Sequence, residues 1–93
     1  MMIRLVKMEF EEDKVALFSS IFEKVKPMIL KMDGCVDVNL HQDIKNSNIF
    51  FTISHWENEA ALNVYRDSEL FIKTWKKVKP LFKNKAEAWS LSS

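Results

Sequence analysis

The sequence has few of the residues that cross-link, kink or loosen a chain: one cysteine, one glycine and two prolines among 93 residues. A lone cysteine excludes an internal disulfide, and Cys35 has no neighbouring ligands in the spacing of a structural zinc site. Unpaired cysteine is typical of a reducing compartment, so a cytoplasmic location is expected. The scarcity of glycine and proline leaves little chain for long irregular loops.

An excess of one charge and a long apolar run are also missing. With 14 basic and 13 acidic residues, the net charge of +1 gives no bulk attraction to nucleic acid or to a membrane surface. Arg4, Lys7 and Glu9 interrupt the opening apolar run, so no signal peptide is expected, and nothing approaches the roughly 20 apolar residues that span a bilayer. The length predicts one globular domain over residues 1–93, with neither a nucleic-acid nor a membrane partner.

The spacing of apolar residues changes several times along the sequence, between steps of three or four residues and steps of two. Apolar residues spaced by three and four between residues 15 and 32 predict a helix with one buried stripe. Pro27 is expected to kink or break this helix, and Gly34 to end it in a left-handed conformation. Residues spaced by two predict four strands, and the polar turn at 43–48 makes the middle two an antiparallel hairpin. The predicted strands are Met2–Phe10, Cys35–His41, Ile49–Trp56 and Lys85–Leu91.

The chain after the third strand reads as a broken helix. Asn58 is placed to cap a short helix over Glu59–Arg66, and Ser68 to cap a second helical piece. Pro80 is expected to weaken or end that second piece. Its apolar stripe consists of Phe71, Trp75, Val78 and Phe82.

These elements follow one another in the order β-α-β-β-α-β, the ferredoxin-like arrangement of an α+β protein. Such a fold has a four-stranded antiparallel sheet with the helices on one face, which leaves the other face uncovered. The third strand is apolar on both faces, with Phe51 and Ile53 on one and Phe50 and Trp56 on the other. Two subunits packed sheet against sheet would bury the set that a monomer exposes, so a homodimer is predicted.

The chain resembles the antibiotic biosynthesis monooxygenase (ABM) family of the dimeric α+β barrel superfamily. The resemblance rests on Gly34-Cys35 at the end of the helix, the strand closing on Trp56, and the run WENEAAL that begins there; Ser68 and Phe71 mark the second helical piece. It covers nearly the whole chain and implies homodimers with one pocket per subunit, between helices and sheet. The known activities of the family include oxygenation of quinols and polyketide aromatics without metal or flavin, and oxidative haem breakdown.

Several polar positions of the family are replaced in this chain. Haem-degrading members have an Asn on the first strand, where this chain has Val6, and a His on the late helix, where it has Trp75. These members also have a Trp at the end of the third strand, and this Trp is the one residue of the three that the chain retains, as Trp56. Haem turnover is therefore not expected. Histidines of the small quinol monooxygenases correspond to Tyr65 and Leu70. The resemblance favours a cofactor-free monooxygenase of a small phenolic or quinol substrate, and the depleted residues leave open a non-catalytic, ligand-binding barrel.

His41 and His55 are the natural general-base candidates, because imidazole alone titrates near neutrality unaided. Removing a proton from a quinol or phenol gives an electron-rich anion that can itself reduce oxygen. Both histidines lie at strand ends, where exposure to solvent is common. Two histidines without nearby carboxylates or cysteines do not form a predicted metal site.

The ligand pocket is predicted from the residues of the third strand that share one face. Thr52 and Ser54 are small residues on the same face as Trp56, and they leave room if that face looks toward the helices. Trp56 and Trp75 either stack on an aromatic ligand or simply fill the core. The single tyrosine, Tyr65, either donates a hydrogen bond to a ligand or is an ordinary half-buried residue. Asn39 shares the polar face of the second strand with Asp37 and His41, and either lines the pocket or meets water. The candidate pocket residues are Trp56, Tyr65, Trp75, Asn39, Ser54 and Thr52.

Six lysines lie between Lys73 and Lys85. A phosphate group or an acidic partner could bind such a cluster, but the pattern is more typical of a solvated face around an apolar stripe. Glycine-rich phosphate loops, a nucleophile elbow and the aromatic strand motif of RNA-recognition domains are all absent from the sequence.

Overall fold

The computed structural model describes residues 1–92. Its order of elements confirms the ferredoxin-like α+β arrangement, with the second helix in two pieces. The elements are β1 (Met2–Phe10), α1 (Val15–Leu30), β2 (Cys35–Gln42), β3 (Ile49–Trp56), α2 (Glu59–Arg66), α3 (Glu69–Val78) and β4 (Phe82–Ser92), with short 3-10 turns at Glu12–Lys14 and Lys79–Leu81. No helix in the described part of the chain is long and apolar enough to cross a membrane.

The four strands form one antiparallel sheet in the order β2-β3-β1-β4. The register pairs Met2 with Trp56 and Met8 with Phe50. These residues are buried because they lie on the face that the helices cover. The sequence interpretation placed Thr52, Ser54 and Trp56 on one strand face, and the structure turns that face toward the helices.

An aromatic cluster fills one end of the space between helices and sheet. Phe10 of β1 stacks on Phe18 of α1 with ring centroids 4.1 Å apart, and Phe50 of β3 lies 5.5 Å from Phe18. Phe10 is fully buried and Phe18 is 3% exposed. Offset and tilted contacts of this kind add to the free energy of burial, so this cluster fixes α1 against the sheet.

The helix boundaries follow the signals in the sequence. The side chain of Asn58 accepts a hydrogen bond from the backbone N–H of Ala61, and the hydroxyl of Ser68 accepts one from Phe71. These bonds satisfy donors that have no partner within the helix. The helix α1 continues through Pro27 to Leu30, so Pro27 does not break it into two pieces.

Gly34 has a φ of +82°, the left-handed conformation expected from its position after α1. Tertiary packing also requires glycine at this position, because a Cβ atom at residue 34 would collide with the Cβ of Ala61 on α2. The glycine therefore both turns the chain into β2 and lets α2 approach closely.

Two strand predictions need correction. The alternating sequence of β2 predicts Val36 on the same buried face as Val38 and Leu40, and this is wrong. An irregularity in the register between Cys35 and Asp37 leaves Val36 48% exposed and turns Cys35 toward the core. The last strand begins at Phe82 rather than Lys85, because the 3-10 turn containing Pro80 ends at Leu81 and Phe82 already pairs with Phe10.

Candidate functional site

A cavity of about 350 Å³ lies between the sheet and the helices. This volume is within the range of roughly 300–1,000 Å³ that ligand sites occupy. Phe18 and Phe22 of α1 border the cavity on one side without filling it. Its walls are mostly apolar, as expected of a site for a small organic molecule.

Small side chains on the sheet create this space. Thr52 and Ser54 of β3 and Ala86 and Ala88 of β4 line the cavity floor on either side of β1, the strand between them. None of these side chains extends far above the sheet, so the helices cannot close onto it completely. The interpretation that small residues on β3 leave room beneath the helices agrees with this geometry.

One side of the cavity is an aromatic wall, formed by Trp56, Tyr65, Phe71 and Trp75. Tyr65 stacks on Trp56 at a centroid distance of 5.1 Å and meets Phe71 edge to face at 5.2 Å. Phe71 and Trp75 are nearly parallel at 5.7 Å. Contacts between neighbouring rings hold the wall in place, so it presents an ordered aromatic surface to the cavity.

Trp56 belongs to the core and also borders the cavity. It is only 1% exposed, so a ligand would rest mainly on the half-buried Tyr65 and Trp75. Its indole Nε1 donates to Oγ of Ser54 at 3.0 Å, and that hydroxyl lies 3.5 Å from the backbone carbonyl of Arg4. The Ser54 hydroxyl is therefore engaged in holding Trp56, whereas the Thr52 hydroxyl has no hydrogen-bond partner among residues 1–92.

Tyr65 supplies a neutral hydroxyl to the site. Burial, with a smaller contribution from the Cys35 thiol, raises the pKa of Tyr65 to about 12. Its hydroxyl forms no hydrogen bond with any other described residue. At physiological pH this phenol is a hydrogen-bond donor and cannot act as a base.

Two arginines line the cavity, and neither was identified from the sequence as a site residue. Arg4 on β1 is half-buried and donates to Oγ of Ser90 at 2.9 Å, and Arg66 lies in the last turn of α2. The signal for Arg4 was present, because it interrupts the apolar even-numbered positions of β1. Nothing local distinguishes Arg66 from an ordinary cation at a helix C-terminus, where the helix dipole favours positive charge.

The structure does not bring His41, His55 or Asn39 to this cavity. Their pairing partners place all three on the opposite face of the sheet. His55 Nδ1 lies 2.6 Å from Oδ1 of Asp37, and Asn39 accepts a hydrogen bond from Lys26 at 3.4 Å. The candidate pocket therefore gathers Thr52, Ser54, Trp56, Tyr65 and Trp75 but excludes Asn39, because successive strand residues face opposite sides.

Comparison with known families identifies the family of this chain. A family model described as antibiotic biosynthesis monooxygenase matches residues 1–77. The chain belongs to the antibiotic biosynthesis monooxygenase (ABM) family. The resemblance drawn from the sequence is thus confirmed. No match was found among curated proteins.

Solved structures share the ABM fold over the full length of the chain. A conserved protein from Methanosarcina mazei Go1 is 22% identical, with a TM-score of 0.93 over 99% of this chain and 92% of that one. A putative antibiotic biosynthesis monooxygenase from Bordetella bronchiseptica is 21% identical, with a TM-score of 0.86 over 99% and 96%. One from Nitrosomonas europaea is 10% identical, with a TM-score of 0.93 over 100% and 98%. Similarity at these identities establishes the fold alone.

The cavity residues do not fit haem. The family resemblance aligns Val6 and Trp75 with the polar residues of haem-degrading members, and both line the cavity. An indole is not among the side chains that ligate haem iron, and no histidine or cysteine lines the cavity. The tyrosine and methionine that do line it are poorly suited to iron, because the raised pKa of Tyr65 keeps its phenol protonated and Met8 is buried in the core. Residues 1–92 also contain no cluster of three His, Cys, Asp or Glu side chains suited to a metal ion.

Proposed function

We propose that this ABM protein is a monooxygenase that acts on a small phenolic or quinol substrate without a bound cofactor. The observation that carries this proposal is the aromatic-walled cavity above Thr52 and Ser54, which has the size and shape for one fused aromatic ring system. The substrate ring lies against Tyr65 and Trp75, and the Tyr65 hydroxyl donates to a substrate oxygen.

The reaction needs no external reductant. When a naphthol is converted to a naphthoquinone, one atom of O2 becomes the new carbonyl oxygen. The other atom leaves as water with two hydrogens from the substrate. The substrate supplies all four electrons, so the protein has to bind and orient it, promote loss of the hydroxyl proton and exclude bulk water.

The general base predicted at His41 or His55 remains untested, and the geometry favours ionisation without either. Both side chains lie across the sheet from the cavity, beyond hydrogen-bond reach of a ligand bound there. We expect the His41→Ala and His55→Ala proteins to retain wild-type oxygen consumption. A loss of turnover with unchanged ligand affinity in either protein would restore the histidine to the mechanism.

A specific observation also supports the second candidate function, a non-catalytic small-molecule-binding barrel. No histidine, aspartate or glutamate is among the residues that line the cavity. A binding protein needs no proton acceptor, so this lining suits retention of a ligand as well as its oxidation.

Oxygen consumption with a panel of quinols and naphthols separates the two functions. Incorporation of isotopically labelled O2 into the product would establish the monooxygenase. The Thr52→Leu protein, which fills the cavity floor, should lose turnover, whereas the nearly isosteric Thr52→Val protein should retain it. Binding of the same compounds without any oxygen uptake would contradict the enzymatic proposal and support the binding barrel.

We further propose that the protein is a homodimer that joins the uncovered sheet faces. This face carries Phe51 and Ile53 on β3 and Trp89 and Leu91 on β4, and the last two are 41% and 44% exposed. Contiguous apolar side chains on a strand face are typical of an interface. A self-complementary contact between two copies would cover them.

A further inference from the structure

The charge of the cavity is unbalanced. Arg4 and Arg66 both line it, and no carboxylate is found among the lining residues. Two guanidinium groups therefore share a mostly apolar space with no protein anion to neutralise them. Arg4 is half-buried and Arg66 is exposed, and two arginines that border an aromatic cavity without a protein carboxylate suit an anion supplied from outside the chain.

The hydrogen-bonding capacity of both arginines is largely unused. A guanidinium has five N–H donors. Arg4 makes one side-chain hydrogen bond, to the neutral Ser90 hydroxyl at 2.9 Å, and Arg66 makes none to any described residue. Most of the ten donors are thus available to a ligand.

The electrostatic setting favours an anion in the same place. Burial lowers the pKa of Arg4, and the positive charge of Arg66 lowers it further, so each guanidinium is close enough to disfavour the other. An anionic oxygen placed against both groups would relieve this repulsion. The apolar walls would strengthen the attraction at Arg4, because that side chain is half-buried and less water screens its charge.

We propose that the cavity selects an aromatic ligand bearing a carboxylate, with the ring on Tyr65 and Trp75 and the carboxylate on Arg4 and Arg66. A carboxylate suits these residues because it accepts two parallel N–H bonds from one guanidinium. This inference rests on the proposed function and narrows its substrate class from neutral phenols to hydroxyarene carboxylates.

Anaerobic calorimetric titration of a hydroxynaphthoate and of the naphthol that lacks its carboxylate tests the inference. Hydrogen bonds between charged groups give the hydroxynaphthoate an advantage of about tenfold or more in Kd. This advantage should shrink as the salt concentration rises. The Arg4→Gln and Arg66→Gln proteins should each lose about tenfold in affinity for the hydroxynaphthoate, while their affinity for naphthol changes less than about twofold.

The Lys76→Gln protein is the matched control, because it removes one positive charge from an exposed position of α3 outside the cavity. It should bind both compounds like the wild type. Since Arg66 is exposed, its replacement keeps the test valid if the Arg4 protein fails to fold. Equal affinity of the wild type for the two compounds, no binding of either, or an equal loss for both in the arginine variants would overturn the inference.

Excluding oxygen separates this inference from the proposed function. Carboxylate selectivity without oxygen uptake in air would retain the inference and remove the monooxygenase. Turnover of naphthol, with equal affinity for naphthol and hydroxynaphthoate, would retain the monooxygenase and remove the inference.

Discussion

Replacing Ser54 by alanine should destabilise the protein through Trp56. Ser54 is 7% exposed and Trp56 1% exposed, and the serine hydroxyl accepts the indole N–H at 3.0 Å. Alanine would leave that N–H buried without an acceptor. The cost of an unsatisfied buried donor is about 1–3 kcal/mol, which corresponds to roughly 4–8 °C in Tm for each kcal/mol in a domain of this size.

A double-mutant cycle with Trp56→Phe isolates this effect. Phenylalanine has no N–H, so Ser54→Ala should cost much less in that background, and the coupling free energy should be about 1–2 kcal/mol. Urea unfolding at one fixed protein concentration gives all four free energies and holds the contribution of self-association constant. The exposed Ser20→Ala change should stay within about 0.5 kcal/mol of the wild type. Additive single changes would refute the view that the Ser54 hydroxyl serves chiefly to satisfy the indole.

Three further outcomes follow from the structure. Gly34→Ala should lower the free energy of unfolding by at least about 1–3 kcal/mol, because alanine at positive φ is strained and its Cβ meets Ala61; urea unfolding showing no loss would contradict this. The pKa of Tyr65 is raised from 10.0 to about 12, so only the unfolded chain ionises between these values. Stability should therefore be intact below pH 10 and fall by about 1.4 kcal/mol per unit toward pH 12. Tyr65→Phe should lack this slope, and a tyrosine absorbance titration with its midpoint near 10 would refute the shift. Light scattering should give a mass of twice the 11.0 kDa chain. The Phe51→Glu protein should be monomeric, because the charge would lie in the proposed interface. A wild-type protein with the mass of one chain at every concentration would refute the proposed dimer.

The local structure was largely predictable because its causes are local. The helix α2 begins at Glu59 and ends at Arg66 as expected, since the Asn58 side chain accepts the N–H of Ala61 in the first turn, a bond that depends only on nearby residues. The alternation of β3 likewise fixes which side chains share a face. The exceptions arise where tertiary contacts decide, as at Val36, which the irregular pairing of β2 turns outward.

The candidate site was predictable only in part. The alternation of β3 predicted that Thr52, Ser54 and Trp56 share a face, but whether Trp56 and Trp75 would border a cavity or fill the core was left open, and the structure places both at the cavity. His41 and His55 attracted attention for their chemistry, yet the pairing of the strands puts them across the sheet. A residue type indicates what a side chain can do, but the register of the sheet determines which other groups it meets.

The sequence by itself determined the order of the fold, most of the element boundaries and the residues of β3 that share a face, because hydrophobic period and capping act over a few residues. Only the tertiary structure decided that a cavity remains, since an empty volume depends on how distant side chains fail to fill the space between them. It also decided the charge of that cavity. Arg4 and Arg66 come from the first strand and the short helix α2, and their guanidinium groups share one site only because the sheet and helices pack together.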